Sequence, residues 1–376
     1  MPLDTQPGWH FTTRSGAPVC QKPAGGLTKT DSIRLGVVNV IRMSMSFRLL
    51  ALALLLSASI SFPTSAQVAE VPGFRLQHVL TVLAESAKPG VLGITAVDLR
   101  TGTRVRVNAG RAFPMMSVIK APVAAAVLAR VDAGLIGLDQ MVTIDRKDLV
   151  PGAAVPSIGA LFEGGRMRFT VRRLLSATVS ESDNTAVDAL IKLVGGPRVV
   201  TQFLQDHGID SMRVDLSEGD VDRIFRDTTG GRTIPDGESD LAALSRQRRG
   251  YRAFMQDPSN RTTPDAAADF LEKLWAGKLL SRESTKRLIE LMEAQTLPLR
   301  LRARLPKGAR LADKCGTSYT LEGQTAAFND IGVITTPDGR AIVVAAFLTG
   351  SRADKEARDK LFAQIGTYLT DPSLLP

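Results

Sequence analysis

The stretch VLGITAVDLRTGTRVRVNAGRAFPMMSVIKAPVAAAVLARVDAG, residues 91–134, changes its hydrophobic period halfway along. From Val91 to Gly110 apolar and polar residues alternate on either side of a Thr-Gly turn, the pattern of a β-hairpin. From Ser117 the spacing is helical, and the helix is almost wholly apolar apart from its opening Ser117 and Lys120. A buried ammonium is costly unless something pairs with it, so Lys120 is either badly placed or employed. Working outward, FTVRRLLSATVSESDNTAVDALIKLV and TPDAAADFLEKLWAGKLLS keep apolar residues at three- and four-residue spacing, and the helical pattern lasts to about Met292. Strands return from Leu311 in ADKCGTSYT, FNDIGVITTPDG and AIVVAAFLTG, before a closing helix from about Ala353. Strands at both ends with helices between predict an α/β fold of the α+β type. One antiparallel sheet is built from both chain ends and flanked by helices, with an all-α lobe over about 117–292 beside it.

The chain has 376 residues, 44% of them hydrophobic, enough for one large domain or two lobes with a proper core. Residues 45–66, MSFRLLALALLLSASISFPTSA, carry Arg48, an apolar run from Leu49 to Ile60 and then Thr64-Ser65-Ala66. This order of basic start, short apolar core and small-residue cut reads as a secretory signal peptide, too short to span a bilayer. Residues 1–44 are then a leader outside the fold, and residues 67–376 form the folded domain, exported to the periplasm or secreted. Loss of residues 1–66 removes six Lys or Arg and two Asp or Glu, taking the formal charge from +9 to about +5. No aromatic residues alternate with the basic ones, so nucleic acid is not an expected partner. Of the two cysteines only Cys315 remains, and the mature chain has two histidines, His78 and His207, neither near another ligand. A disulfide, a His-based metal site and a Ser-His-Asp triad are all short of residues. In a hydrolase, something other than histidine has to move the proton.

Ser117 and Lys120, three apart, share one face of a helix and can touch. The exposed N–H groups at that helix start favour negative charge on an attacking oxygen. SDN, Ser182 to Asn184, opens another helix and alone is a capping pattern. KCG, Lys314 to Gly316, lies on an expected strand.

In this order the three elements resemble the serine β-lactamase and penicillin-binding protein superfamily, whose signature is S-x-x-K, S-D-N and K-T-G. ESDNTAVDALIKLVGGP and NDIGVITTPDGRAIVVAAF look like class A β-lactamases, and the resemblance runs from about Val91 to Tyr368. RVDLSEGDVD, Arg213 to Asp222, resembles the class A Ω-loop and puts Glu218 at the deacylating base, which transpeptidases and carboxypeptidases of this fold lack. None of the three tyrosines stands in the Tyr-x-Asn of other relatives. The resemblance implies Ser117 as nucleophile, with Lys120 or Glu218 (through a water) as the acylation base. The backbone N–H groups of Ser117 and Thr317 would form the oxyanion hole. Ser182 would relay a proton to the leaving nitrogen, supported by Lys314, and Glu218 would activate the deacylating water. Asn184, Asp222, Gly316, Thr317 and Ser318 would line the substrate site, with Arg300 supplying a guanidinium for the substrate carboxylate. A monomer acting on β-lactams without metal or cofactor follows. The rivals are a D-alanyl-D-alanine peptidase inhibited by β-lactams and a binder that acylates without turnover.

The chain also departs from that family. Cys315 replaces a hydroxyl residue, and Asp222 replaces an asparagine, so that two carboxylates are expected to share the deacylating water. Leu216 and Asn260 stand where an arginine–aspartate bridge normally closes the Ω-loop. About thirty extra residues follow Glu218, expected as an extended loop over about 227–260, and DLVPGAAVPSIGALF (148–162) lacks an entrance tyrosine. Together these imply a wider, more mobile loop beside the site.

Overall fold

A computed structural model of the protein describes residues 73–295 and 297–374. The leader (1–44) and signal segment (45–66) expected from the sequence lie outside the described residues. The first helix, α1 (Phe74–Ser86), leads into the hairpin β1 (Val91–Asp98) and β2 (Arg104–Val107). The chain then makes the short β3 (Phe113–Pro114) and a 3₁₀ turn over Met116–Ile119, which runs straight into α2 (Lys120–Asp132). Next come β4 (Met141–Asp145), β5 (Arg166–Thr170), α3 (Val171–Val179), α4 (Asn184–Val194), α5 (Pro197–Asp206) and α6 (Glu218–Phe225). After α7 (Asp240–Gln256), β6 (Arg261–Thr262), α8 (Pro264–Trp275) and α9 (Arg282–Glu293), the C-terminal part supplies β7 (Arg310–Thr317), β8 (Thr320–Leu321), β9 (Gln324–Thr335), β10 (Ala341–Ser351) and α10 (Lys355–Leu369).

The main sheet has the order β2-β1-β10-β9-β7 with β8 added to β9, and every pairing is antiparallel. It therefore joins the two chain ends, and β7 at its edge faces the helices. β9 and β10 are buried over almost their whole length because both sheet faces are covered. On one face α1 and α10 meet Leu92, Ile94, Val344 and Ala346 in a core of their own. The other face packs on the helical lobe, whose centre is α2, buried from Lys120 to Leu128.

The sequence between 117 and 292 is less purely helical than its periodicity implies, because β4 and β5 form a hairpin there and β6 pairs with β3. The expected extended loop over about 227–260 is largely helix. Ser239 caps α7, and Phe254 stacks on Phe225 of α6 with ring centroids 4.2 Å apart. Tyr251, Val221 and Ala326 complete this third, small core. Gly250 is the contact point, since a Cβ there would meet the Phe225 carbonyl oxygen at 2.1 Å. Substitution Gly250→Ala should therefore undock α7 while the two main cores stay intact. Hydrogen exchange should speed up at least tenfold across 240–256 only, with the global unfolding free energy changed by less than about 1 kcal/mol. Unchanged exchange in α7 would refute this account of its docking.

Candidate active site

The edge strand β7 and the 3₁₀ turn before α2 approach so closely that Gly316 has no room for a side chain: a Cβ would lie 2.4 Å from the Met115 carbonyl oxygen. Asn329 on β9 ties the same turn down, donating to the carbonyls of Pro114 (2.8 Å) and Met115 (3.0 Å). Met116 is held at φ +50°, a sparsely populated conformation for a side chain of this kind, and Ser117 follows it. The backbone N–H of Ser117 is thus presented beside β7, next to the residues that follow Gly316.

Lys120, fully buried at the start of α2, donates to Ser117 Oγ at 2.8 Å, the Ser182 carbonyl at 2.7 Å and Asn184 Oδ1 at 2.6 Å. Glu218 Oε1 is 3.6 Å from the same Nζ. Burial is the largest influence on this amine and brings its pKa down from 10.5 to about 8, against the opposing pull of Glu218. Lys120 is employed: it joins α2, the Ser182–Asn184 turn and α6.

Ser182 is at φ +58°, and Asp183, immediately after it, caps α4 by accepting from Ala186 N–H. The strained turn aims Ser182 Oγ at two cations, Lys314 Nζ at 3.1 Å and Lys120 Nζ at 3.3 Å. Lys314 is also fully buried and donates to Gln295, whose amide in turn donates to Asp313 at 2.9 Å. Asp330 lies beside Asp313, and burial together with that neighbour raises its pKa well above the usual carboxylate range. Gln295 was not singled out from the sequence; no local pattern marks a residue that joins the site only through packing of α9 on β7.

Glu218 opens α6, and Ser217 and Asp220 form a capping box around it. One Glu218 oxygen is buried without a hydrogen bond to any described residue. Its backbone is anchored by Asp188 on α4, which accepts from Glu218 N–H at 2.7 Å and Gly219 N–H at 2.8 Å. Burial raises the Asp188 pKa to about 6 in spite of those two bonds. This residue was legible in principle, since it stands four after Asn184 and so shares its helix face.

Ser117, Ser182, Asn184, Glu218, Asp222, Gly316, Thr317 and Ser318 line one cavity of about 300 Å³, with Cys315, Phe225 and Tyr319. Lys120 and Lys314 reach it from behind, through Ser117 and Ser182. Arg300 is buried behind β7 rather than facing the cavity. Its guanidinium donates to the carbonyls of Gly316 (3.0 Å) and Asn329 and to Thr317 Oγ1, and lies 3.7 Å from the centre of the Phe328 ring. Ser318 faces the cavity with a committed hydroxyl, accepting from Ala327 N–H and donating to the Tyr319 carbonyl.

Around the Ω-loop, Asp222 and Asn260 each find partners of their own. Asp222 forms an ion pair with Arg226 at 2.7 Å and accepts from the Tyr319 hydroxyl at 3.3 Å, so its charge is answered by groups other than Glu218. Asn260 replaces the missing bridge with neutral hydrogen bonds. Its Oδ1 accepts from the N–H groups of Asp215 and Leu216, and its Nδ2 donates to the Leu216 carbonyl at 3.0 Å. The loop is clamped on one side by Asn260 and on the other by Asp188, and the insertion packs as a helix beside it.

A model of the β-lactamase enzyme family matches residues 75–372. The extended-spectrum β-lactamase PER-1 of Pseudomonas aeruginosa is 32% identical over 84% of this chain and 91% of its own length. The β-lactamase VEB-1 of the same organism is 30% identical over 74% and 84%. Among solved structures, a β-lactamase from Chitinophaga pinensis is 32% identical with a TM-score of 0.66, covering 80% of this chain and 99% of that one. An ancestral class A β-lactamase is 34% identical with a TM-score of 0.61, covering 77% and 97%.

The anchoring of Glu218 makes a stability prediction. Asp188→Ala leaves two N–H groups at a partly buried helix start without their acceptor and should lower the unfolding free energy by about 2–4 kcal/mol. Asp222→Ala breaks a partly exposed ion pair and one long, exposed hydrogen bond from Tyr319 and should cost under about 1 kcal/mol. Urea denaturation of both variants measures the contrast; equal losses would contradict it.

Proposed function

The chain belongs to the β-lactamase enzyme family, and from that premise we propose that the cavity around Ser117 opens β-lactam rings through an acyl-serine intermediate, which is then hydrolysed. The observation that carries this reading is the buried Lys120, in direct contact with Ser117 Oγ and 3.6 Å from Glu218. A lysine with a pKa of about 8 is neutral in roughly a tenth of molecules at pH 7, enough to serve as a base. Neutral Lys120 takes the Ser117 proton as Oγ bonds to the lactam carbonyl carbon. The oxyanion that forms is held by the N–H groups of Ser117 and Thr317.

The proton then passes from Lys120 to Ser182, 3.3 Å away, and from Ser182 to the lactam nitrogen as the C–N bond breaks. Lys314 supports the Ser182 oxygen and draws the substrate carboxylate toward β7. Arg300 acts one step removed, orienting the Thr317 hydroxyl and the Gly316 carbonyl. Asn184 holds Lys120 and offers its amide toward the acyl side chain, while Asp222 and Ser318 shape the cavity wall. The Glu218 carboxylate, whose Oε1 accepts no hydrogen bond from a described residue, takes a proton from the water that attacks the ester, and that proton returns through Lys120 to the departing Ser117 Oγ. A peptidase of this fold has no need of a glutamate buried against Lys120, and that favours hydrolytic turnover over trapping.

Among the described residues no helix is long and apolar enough to cross a membrane. Residues 45–66 direct export, cleavage follows Ala66, and the product is a monomer; an N-terminus at Gln67 on the exported protein checks the first two.

Ser117→Ala should form no covalent adduct with a cephalosporin, and adduct on another residue would end the assignment. Glu218→Gln should acylate and then release product at least a hundredfold more slowly. Acylation should rise with pH and level off as Lys120 loses its proton near pH 8. Because the Glu218 charge raises the Lys120 pKa, its loss in Glu218→Gln should move that midpoint below the wild-type value. Stopped-flow acylation from about pH 6 to 9 covers the span in which a tuned lysine base titrates. A midpoint that stays in place or rises would remove Lys120 as the base.

A further inference from the structure

The inserted helix α7 has a second side, away from the cavity around Ser117. It forms a groove of about 570 Å³ with the β8–β9 turn and the end of β10, lined by Arg248, Tyr251, Arg252, Leu321, Glu322 and Arg352. Three guanidiniums meet one carboxylate here, a surplus of two positive charges. Arg248 is committed to Glu322, with Nε at 3.1 Å. Arg252 and Arg352 are exposed, and neither makes a hydrogen bond or a close ion pair among the described residues.

Solvated arginines alone would mean little. The second observation is Tyr251, whose side chain forms part of the small core under α7, only 9% exposed, yet whose hydroxyl has no hydrogen-bond partner. A buried phenol without an acceptor costs free energy that a ligand oxygen at the groove would recover. Tyr251 and Arg352 line the same groove.

We propose that this groove is a binding site for a phosphomonoester, held by Arg252 and Arg352 with the Tyr251 hydroxyl as third donor. A phosphomonoester carries about −1.5 to −2 charge near neutral pH and presents three acceptor oxygens, matching the surplus charge and the donors. The occupant spans α7, the β8–β9 turn and β10, so it braces the inserted helix against the sheet. The bracing reaches the cavity around Ser117 through Phe254 and the stacked Phe225, which lines that cavity. The phosphoryl group could be carried by a soluble molecule or by a lipid headgroup; the recognition chemistry is the same.

The test is isothermal titration of the full-length protein with inorganic phosphate at fixed ionic strength, chloride being the balancing anion. Saturable binding is expected in the wild type. It should weaken at least tenfold in the double variant Arg252→Gln/Arg352→Gln, which changes only exposed side chains, and measurably in Tyr251→Phe, which keeps the buried ring. Co-sedimentation with vesicles containing phosphatidic acid, against phosphatidylcholine alone, separates the sources. Retention on phosphatidic acid that the double variant loses assigns a headgroup, and phosphate binding without retention assigns a soluble ligand. No saturable phosphate binding, or equal affinity in the double variant, overturns the site.

Discussion

The buried charge of Lys120 is the constraint on which the rest of the structure depends. An ammonium taken out of water at the start of an apolar helix has to be answered by several acceptors at once, and three separate parts of the chain supply them. Ser117 comes from the turn before α2, Ser182 and Asn184 from the strained start of α4, and Glu218 from the start of α6. Each arrives at a helix N-terminus, where the local backbone already favours polar groups. Folding that satisfies the lysine therefore also assembles a serine hydroxyl, an amine and a carboxylate around one small volume. The same desolvation that makes the ammonium costly lowers its proton affinity, so the structural burden and the chemical usefulness of Lys120 have one origin.

What could be read from the sequence followed from what the chemistry fixes locally. Ser117 and Lys120 share a helix face and Ser182 to Asn184 open another helix, and it was the resemblance of these motifs in order to a known family, not the spacing alone, that implied their roles. The sheet built from both chain ends was visible because alternation and continuous apolar runs differ in period from the helices between them. Gln295 enters the site only through packing of α9 on β7, and nothing around it in sequence signals it, whereas Tyr319 directly follows Thr317 and Ser318 and was passed over. Arg300 was read as a residue meeting substrate because its charge was visible and its burial was not. Helix α7 was taken for a loop because only Gly250, Tyr251 and Phe254 of its seventeen residues are buried. That leaves a weak periodic trace among arginines.

The insertion changes how the wall of the site is supported. A loop closed only on itself would depend on its own few contacts, whereas α6 here is backed by aromatic stacking from α7 and faced by Tyr319 across the cavity mouth. The ring of Phe225 touches both, at 4.2 Å from Phe254 and 5.1 Å from Tyr319, centroid to centroid. The position of the cavity wall near Asp222 is thus set from outside the loop, by a helix whose other side carries the arginine groove.

Asn260 leaves the loop with a closure that carries no net charge. A bridge between a carboxylate and a guanidinium is screened by dissolved salt and comes apart once acid protonates the carboxylate. An amide that donates once and accepts twice from the backbone has nothing to titrate, and ions have little to screen. The Asn260 closure itself is therefore indifferent to brine and to acid alike. On the opposite side Asp188, its pKa raised by burial to about 6, changes protonation in a range where Asn260 has nothing to titrate.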